Sequence, residues 1–145
     1  MLEFAHQEHV KSYYLDSRNQ TFELPPLTQQ EEADVCVIGA GFFGLSAALE
    51  LAEKGKKVIV LEGARVGFGA SGRSGGQAIN GFEEGIDEYI TQMGFDKAKK
   101  LWDMSLEAID IIDERIAKYG IQCDWKKGYA TLALNERRMD DLIEM

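Results

Sequence analysis

Cysteine is scarce in this sequence, which has only Cys36 and Cys123 among its 145 residues. The two cysteines lie far apart, form no C-x-x-C pair and have no histidine beside them. The sequence therefore indicates neither a zinc site nor a disulfide framework. We expect no bound metal and two reduced, buried thiols, because free cysteine behaves as a small hydrophobic residue.

Positive charge is scarce as well, with 16 Lys and Arg residues against 25 Asp and Glu and a formal net charge of −9. Proteins that bind nucleic acid hold its phosphates with a surplus of Lys and Arg, so that class of function is not expected. No apolar run approaches the ~20 residues that span a bilayer, and residues 1–14 lack the apolar core of a secretory signal peptide. Since 45% of the residues are hydrophobic, we expect a globular domain. The lack of a targeting or membrane segment leads us to expect a cytoplasmic location. The sequence does not determine the oligomeric state.

Composition divides the chain into three regions. Residues 1–32 are polar and irregular, so they are expected to form a surface arm that carries His6 and His9. Residues 33–81 carry a predicted strand–helix–strand unit followed by a second glycine-rich loop. Residues 82–145 are predicted to be a helical segment and the incomplete start of a substrate or cap region.

The hydrophobic pattern predicts individual elements within these regions. An apolar run bounded by glycine at 33–38 is typical of a strand buried on both faces of a parallel sheet. A helix is predicted over 44–54, followed by a second strand over 58–61. The apolar stripe of the 44–54 helix consists of Leu45, Ala48, Leu49 and Ala52. The later predictions are a short helix within 82–93, a helix over 95–119, strands at 121–124 and 129–134, and a helix from 136. The stripe of the 95–119 helix consists of Leu101, Ser105, Ala108 or Ile109, Ile112 and Ile116.

The glycine-rich segment between the first strand and the helix points to a dinucleotide site. Gly39 permits a tight turn out of the strand, Gly41 lets the backbone approach a pyrophosphate, and Gly44 lets the helix pack closely on the strand. The helix N-terminus then offers the phosphates unpaired N–H groups and the positive end of its dipole. Glu62 follows the second strand, where a carboxylate accepts hydrogen bonds from the adenosine ribose and disfavours the 2′-phosphate of NADP.

The glycine turn by itself does not separate FAD from NAD, since both cofactors use it. Residues 65–77 form a second glycine-rich loop with polar side chains, which suits a longer ligand that carries a flavin beyond its pyrophosphate. The sequence therefore favours FAD. An NAD-dependent dehydrogenase and a non-catalytic dinucleotide-binding remnant are the alternatives.

Three segments resemble the D-amino-acid oxidase/glycine oxidase superfamily of FAD-dependent amine oxidoreductases. They are DVCVIGAGFFGLSAA at 34–48, VLE at 60–62 and GFGASGRSGGQ at 67–77. Within that superfamily, similarity to the gamma-glutamylputrescine oxidases lies in SYY at 12–14, the loop at 65–73 and residues 116–125. The resemblance implies an α/β fold with a Rossmann-like FAD-binding βαβ unit of the glutathione-reductase type.

The resemblance also implies which residues border FAD. At the pyrophosphate and the ribose they are Gly39, Ala40, Gly41, Phe43, Gly44 and Glu62. Along the stretch from pyrophosphate to flavin they are Ala70, Ser71, Arg73, Gly75, Gly76 and Gln77. The Phe42-Phe43 pair departs from the smaller or hydroxylated residues often found in that turn.

The implied reaction is oxidation of an amine C–N bond, with FAD as cofactor and a gamma-glutamylputrescine-like amine as substrate. A hydride passes to the flavin, the imine is hydrolysed to an aldehyde with release of ammonia, and molecular oxygen is reduced to hydrogen peroxide. This reaction belongs to putrescine catabolism. No residue is assigned as a catalytic base. In this superfamily the substrate pocket is built by later residues, so residues 1–145 alone are expected to be inactive and marginally stable.

Overall fold

The computed structural model describes residues 8–21 and 23–144, so the expected surface position of His6 lies outside the described residues. The elements in chain order are α1 (Tyr13–Asp16), β1 (Val35–Ile38), α2 (Phe42–Glu53), β2 (Val58–Leu61), a 3₁₀ turn (Ala70–Arg73), α3 (Ile86–Met93), α4 (Phe95–Tyr119) and α5 (Arg137–Glu144). The helical turn α1 in the arm was not predicted. Among these helices, as far as the chain is described, none has the length and apolar character needed to cross a membrane.

β1 and β2 are parallel neighbours in a two-stranded sheet, in a register that runs from Val35 opposite Val58 to Ile38 opposite Leu61. α2 connects them and packs against both strands. The strand–helix–strand order predicted for residues 33–61 is therefore present.

Only one face of β1 is covered. A Cβ on Gly44 of α2 would lie 3.3 Å from Val37 Cγ1, so Val37 faces the helix. Side chains alternate along a strand, and Cys36 and Ile38 are accordingly exposed, Ile38 by 88%. The prediction of a strand buried on both faces is wrong, and so is the expectation of buried thiols, because Cys123 is exposed as well.

The buried face of α2 differs from the predicted apolar stripe. Gly44 and Ala48 are the buried residues of this helix, whereas Leu45 and Ala52 are exposed. The difference arises because Gly44, which has no side chain to count as apolar, is the point of closest approach to β1.

α3 packs against α4, and Gly94 alone joins them with φ 84° and ψ 158°. That conformation is nearly restricted to glycine. α4 has the predicted bounds and ends at Gly120, whose φ of 60° is left-handed. Ala98 and Ser105 are its buried residues, while Ile112 of the predicted stripe is exposed.

The strands predicted at 121–124 and 129–134 do not form. Strands need backbone hydrogen bonds to a neighbouring strand, and among the described residues the backbone bond of these segments is that of the Ile121 N–H to the Ile116 carbonyl in α4. The segment is joined to α4 by side chains, since Lys127 Nζ and Trp125 Nε1 donate to Asp113 at 2.6 and 2.8 Å. Both hydrogen bonds lower the pKa of Asp113, and the bond from Lys127 has the larger effect.

Charged side chains join the second half of α2 to α4. Arg115 Nη1 and Nη2 donate to Ser46 Oγ at 3.0 Å and Glu50 Oε2 at 2.8 Å. Lys118 Nζ donates to Glu53 Oε1 at 2.6 Å, and this bond lowers the pKa of Glu53 and raises that of Lys118. We call Glu50, Glu53, Arg115 and Lys118 the α2–α4 ion cluster.

Candidate functional site

The turn between β1 and α2 has the geometry predicted for a dinucleotide site. Gly39 has φ 99°, a conformation that favours glycine, and its N–H donates to the Leu61 carbonyl at 2.7 Å. A Cβ on Gly44 would overlap the Gly39 carbonyl oxygen, so no larger residue fits there without a shift of the backbone. These two glycines therefore hold α2 close to β1, as the sequence predicted.

Glu62 is linked to the same turn through its carboxylate. Glu62 Oε2 accepts a hydrogen bond from the Ala40 N–H at 2.8 Å, and Oε1 accepts one from the Ala64 N–H at 3.0 Å. The sequence predicted a ribose ligand for this side chain but not a structural role in the turn. A carboxylate has about four acceptor positions, so two are left for ribose hydroxyls.

The second glycine-rich loop meets the turn directly. Ser71 Oγ accepts a hydrogen bond from the Phe42 N–H at 3.0 Å, and the Gly67 N–H donates to the Ala40 carbonyl at 3.0 Å. A Cβ on Gly41 would lie 2.8 Å from Ser71 Oγ, which explains why the smallest residue stands at this contact. The two segments that the sequence assigned to one cofactor are thus adjacent in space.

Two glycines that the site prediction omitted shape this loop. Gly67 has φ 71°, and a Cβ on Gly72 would overlap the Gly67 carbonyl oxygen. The loop therefore folds back on itself immediately beside Ala70 and Ser71 in the 3₁₀ turn. The density of glycine between 63 and 81 was a signal for such a close approach.

The remaining predicted residues lie elsewhere in the loop. The Arg73 guanidinium packs over the Phe68 ring at 5.9 Å and donates to the Phe68 carbonyl at 3.4 Å. A Cβ on Gly75 would lie 2.5 Å from the Gln77 Oε1 atom. Gly76 and Gln77 line a cleft of about 430 Å³ with α4 and the segment at 123–129. Within 8–21 and 23–144, no hydrogen bond links residues 75–77 to the turn.

The geometry of the turn fits a dinucleotide phosphate. The first N–H groups of an α-helix lack partners within the helix, and the N-cap of α2 is Gly41, which supplies no side-chain hydrogen bond. A Cβ on Gly41 would meet Ser71, so the lack of a side chain at Gly41 is what lets the second loop approach this helix end. Phe43, in the first turn of α2, is 89% exposed, so little of the protein packs against its ring.

The arm takes part in this region, which sequence reasoning missed. α1 packs against the 3₁₀ turn, the His9 ring lies 5.8 Å from the Phe68 ring, and Arg65 forms an ion pair with Glu8 at 3.0 Å. His9, which was expected on a surface arm, is half-buried against this loop. A polar arm gave no periodic signal from which these contacts could be predicted.

Comparison with known proteins bears on this site. A probable oxidoreductase OrdL of Haemophilus influenzae is 88% identical over all 145 residues, which cover 34% of that protein. Gamma-glutamylputrescine oxidoreductase of Escherichia coli is 44% identical over 137 residues, 94% of this chain and 32% of that protein. The chain thus spans about a third of the length of these relatives. No solved structure gives a significant match.

A family model extends over most of the same sequence. Residues 34–145 match the family described as FAD dependent oxidoreductase, DAO. This range contains the glycine turn, Glu62 and the second loop, and the predicted cofactor and superfamily resemblance are confirmed by it. The chain therefore belongs to the DAO family of FAD-dependent oxidoreductases.

Proposed function

We propose that these 145 residues hold FAD in an enzyme that oxidises a C–N bond of an amine of the gamma-glutamylputrescine type. The observation that carries the proposal is the hydrogen bond between Ser71 and the Phe42 N–H, which joins the second loop to the phosphate-binding helix end. A turn for NAD alone would not need this loop. The name of the Escherichia coli relative supports the substrate class.

We assign two parts of FAD, the pyrophosphate and the adenosine ribose, to separate groups of the chain. The helix end at Gly41 faces the pyrophosphate, with the positive end of the α2 dipole directed at its charge. Glu62 accepts from the ribose hydroxyls with its free lone pairs. The full proposed set is Gly39, Ala40, Gly41, Phe43, Gly44, Glu62, Ala70, Ser71, Arg73, Gly75, Gly76 and Gln77.

FAD, when bound, supplies the capacity to accept a hydride from the carbon beside the amine. The protein's contribution is to orient the cofactor against the second loop. Molecular oxygen as electron acceptor, a glutathione-reductase-type domain and a cytoplasmic location are parts of this proposal. No residue of the chain is proposed as a catalytic base.

Binding of FAD tests the first part of the proposal. The protein is mixed with FAD, desalted, and examined for retained flavin absorbance and quenched flavin fluorescence, with NAD in a parallel sample. We expect retention of FAD and none of NAD. Retention of NAD with no bound flavin would overturn the assignment.

Substrate class needs a chain of the relatives' length. In a chimera, these 145 residues replace the matching third of the Haemophilus influenzae relative, with which they are 88% identical. Anaerobic bleaching of the flavin is then screened with gamma-glutamylputrescine, with putrescine and with neutral amino acids. Bleaching by gamma-glutamylputrescine at the lowest concentration is expected. A flavin-loaded chimera that gamma-glutamylputrescine does not bleach, or that another compound of the panel bleaches at lower concentration, would contradict the proposed substrate class.

A further inference from the structure

A cavity of about 260 Å³ lies between the arm and the second loop. The arm contributes His9, Arg18 and the hydroxyl-bearing residues around α1, and the loop contributes Arg65 and Arg73. A pocket of this size is just below the range for drug-sized ligands. It would therefore accommodate a small molecule or one end of a larger one.

The charge of this cavity is opposite to that of the chain. Three arginines line it, and none of its described lining residues is Asp or Glu, although the chain has a formal net charge of −9. Such a concentration of guanidinium groups in an acidic protein creates a local positive field that attracts anions.

The three arginines are only partly compensated by protein partners. Arg65 pairs with Glu8, but the Glu8 side chain is 83% exposed, so the attraction is screened by water. Arg73 makes one long hydrogen bond, to the Phe68 carbonyl at 3.4 Å. The side chain of Arg18 makes no hydrogen bond or ion pair with another residue in the described part of the chain. Donors are therefore available from both walls of the cavity.

Neutral groups complete the lining. Ser12, Tyr14 and Thr21 supply hydroxyls, and Val10 and Val66 supply apolar surface. A few polar donors on a partly apolar wall are typical of sites that fix the orientation of a small ligand. Arginine is suited to this task because its planar fork matches the two oxygens of a carboxylate or a phosphate.

We propose that this cavity binds a small oxyanion, a carboxylate or phosphate group, between Arg18, Arg65 and Arg73. Residues 39–44 of the turn and Glu62 do not line the cavity, although Arg73 belongs both to its lining and to the set proposed to border FAD. An anion bound there bridges the arm and the loop. Its binding therefore stabilises the arm against the loop that borders FAD.

The experiment titrates the protein with inorganic phosphate and, separately, with acetate, at constant ionic strength set by chloride. Calorimetry and the thermal unfolding midpoint are measured, with and without saturating FAD. We expect saturable binding of one oxyanion that raises the unfolding midpoint and persists with FAD. A higher affinity for phosphate identifies a phosphate ligand, and a higher affinity for acetate identifies a carboxylate.

Variants locate the binding. Arg18→Gln and Arg73→Gln should each weaken oxyanion binding at least tenfold, whereas Arg137→Gln in α5 should not change it. Far-UV circular dichroism in chloride alone verifies that each variant is folded, and Arg18→Lys should retain part of the affinity through its charge. Absence of saturable binding, equal weakening by Arg137→Gln, or loss of binding when FAD is added would overturn the proposal. The last result would make the cavity part of the cofactor's own phosphate site.

Discussion

Ser71 Oγ accepts the hydrogen bond of the Phe42 N–H, so a side chain from the second loop caps the helix that follows the glycine turn. The residues are 29 positions apart in the chain. Their contact brings the glycine turn and the second glycine-rich loop together in a single site. It also occupies one of the helix N–H groups, while the N–H groups that follow in α2 are left for phosphate oxygens.

Ser71→Ala removes this cap and should lower the free energy of unfolding by about 0.5–2 kcal/mol, the usual range for the loss of an N-cap side chain. It should also weaken FAD binding, because the second loop is no longer held at the helix end. Chemical denaturation and FAD titration measure the two effects. Ser17→Ala, in a residue whose side chain has no partner in the described structure, is the matched control and should change neither quantity. Equal effects of the two substitutions would contradict this role for Ser71.

Gly44→Ala should destabilise the protein by roughly 1–3 kcal/mol, because its Cβ would overlap the Gly39 carbonyl and force β1 and α2 apart. Retention of FAD should fall with it, since the same displacement opens the turn. Gly85→Ala is the control. Gly85 has φ −64° and open space around its Cβ position, so this substitution should cost no more than the ~0.5–1 kcal/mol expected when alanine replaces glycine at a helix N-cap. Wild-type denaturation behaviour of Gly44→Ala would show that the helix can move away without cost.

Glu62→Gln retains one acceptor oxygen for the Ala40 and Ala64 N–H groups and loses the negative charge. We expect a loss of about 1–2 kcal/mol in unfolding free energy, at the low end for charge-assisted hydrogen bonds because the site is partly exposed. FAD binding should weaken more than this loss of stability explains, since the ribose also loses its acceptor. Denaturation and flavin fluorescence of Glu62→Gln and of Glu84→Gln, an exposed carboxylate, test the comparison. Unchanged FAD affinity in Glu62→Gln would show that Glu62 does not bind the ribose of FAD.

Four residues of the site show how much of its structure can be predicted from the sequence. Gly39 and Gly44 were predictable because local backbone geometry demands glycine at fixed spacing from a strand and a helix. The hydrogen bond of Ser71 and the structural role of Glu62 were not, because each joins segments distant in the chain. The failed strand at 129–134 has the same cause, since β-pairing depends on a partner and not on the segment's own residues.

Arg115→Met should separate α4 from α2 and cost ~1–3 kcal/mol, because it removes charge-assisted hydrogen bonds from a side chain that is only 17% exposed. The loss should shrink at high salt, which screens the α2–α4 ion cluster in the wild type as well. Lys99→Met, which breaks the exposed pair with Asp103, should cost less than about 0.5 kcal/mol. Denaturation at low and high salt measures both. A larger effect for Lys99→Met would refute this assignment.

The ion cluster also predicts the pH dependence of stability. The pKa values of Glu50 and Glu53 are lowered from 4.5. The largest cause is a hydrogen bond from Lys54 for Glu50 and from Lys118 for Glu53. A carboxyl group whose pKa is lowered by folding contributes stability above its unfolded pKa and loses it as pH falls through the folded value. Unfolding midpoints should therefore be level near neutral pH and fall below about pH 4.5.

The same reasoning gives the opposite sign for Lys118, whose pKa is raised from 10.5 mainly by Glu53. Its contribution is complete below pH 10.5 and is lost as the pH rises through the folded value. Glu53→Gln should therefore flatten both the acid and the alkaline limbs of the profile. A profile identical to that of the wild type would show that the cluster makes no pH-dependent contribution.

The uncovered face of β1 turns Cys36 into a reporter group. Because the thiol lies on the same side of the strand as Ile38 and away from α2, a maleimide dye attached there should leave the glycine turn intact. Any further polypeptide that seats itself on that face would slow the labelling reaction. In a Cys123→Ser background, which removes the other exposed thiol, the rate of Cys36 modification becomes a readout of assembly that needs neither catalytic turnover nor a coloured cofactor.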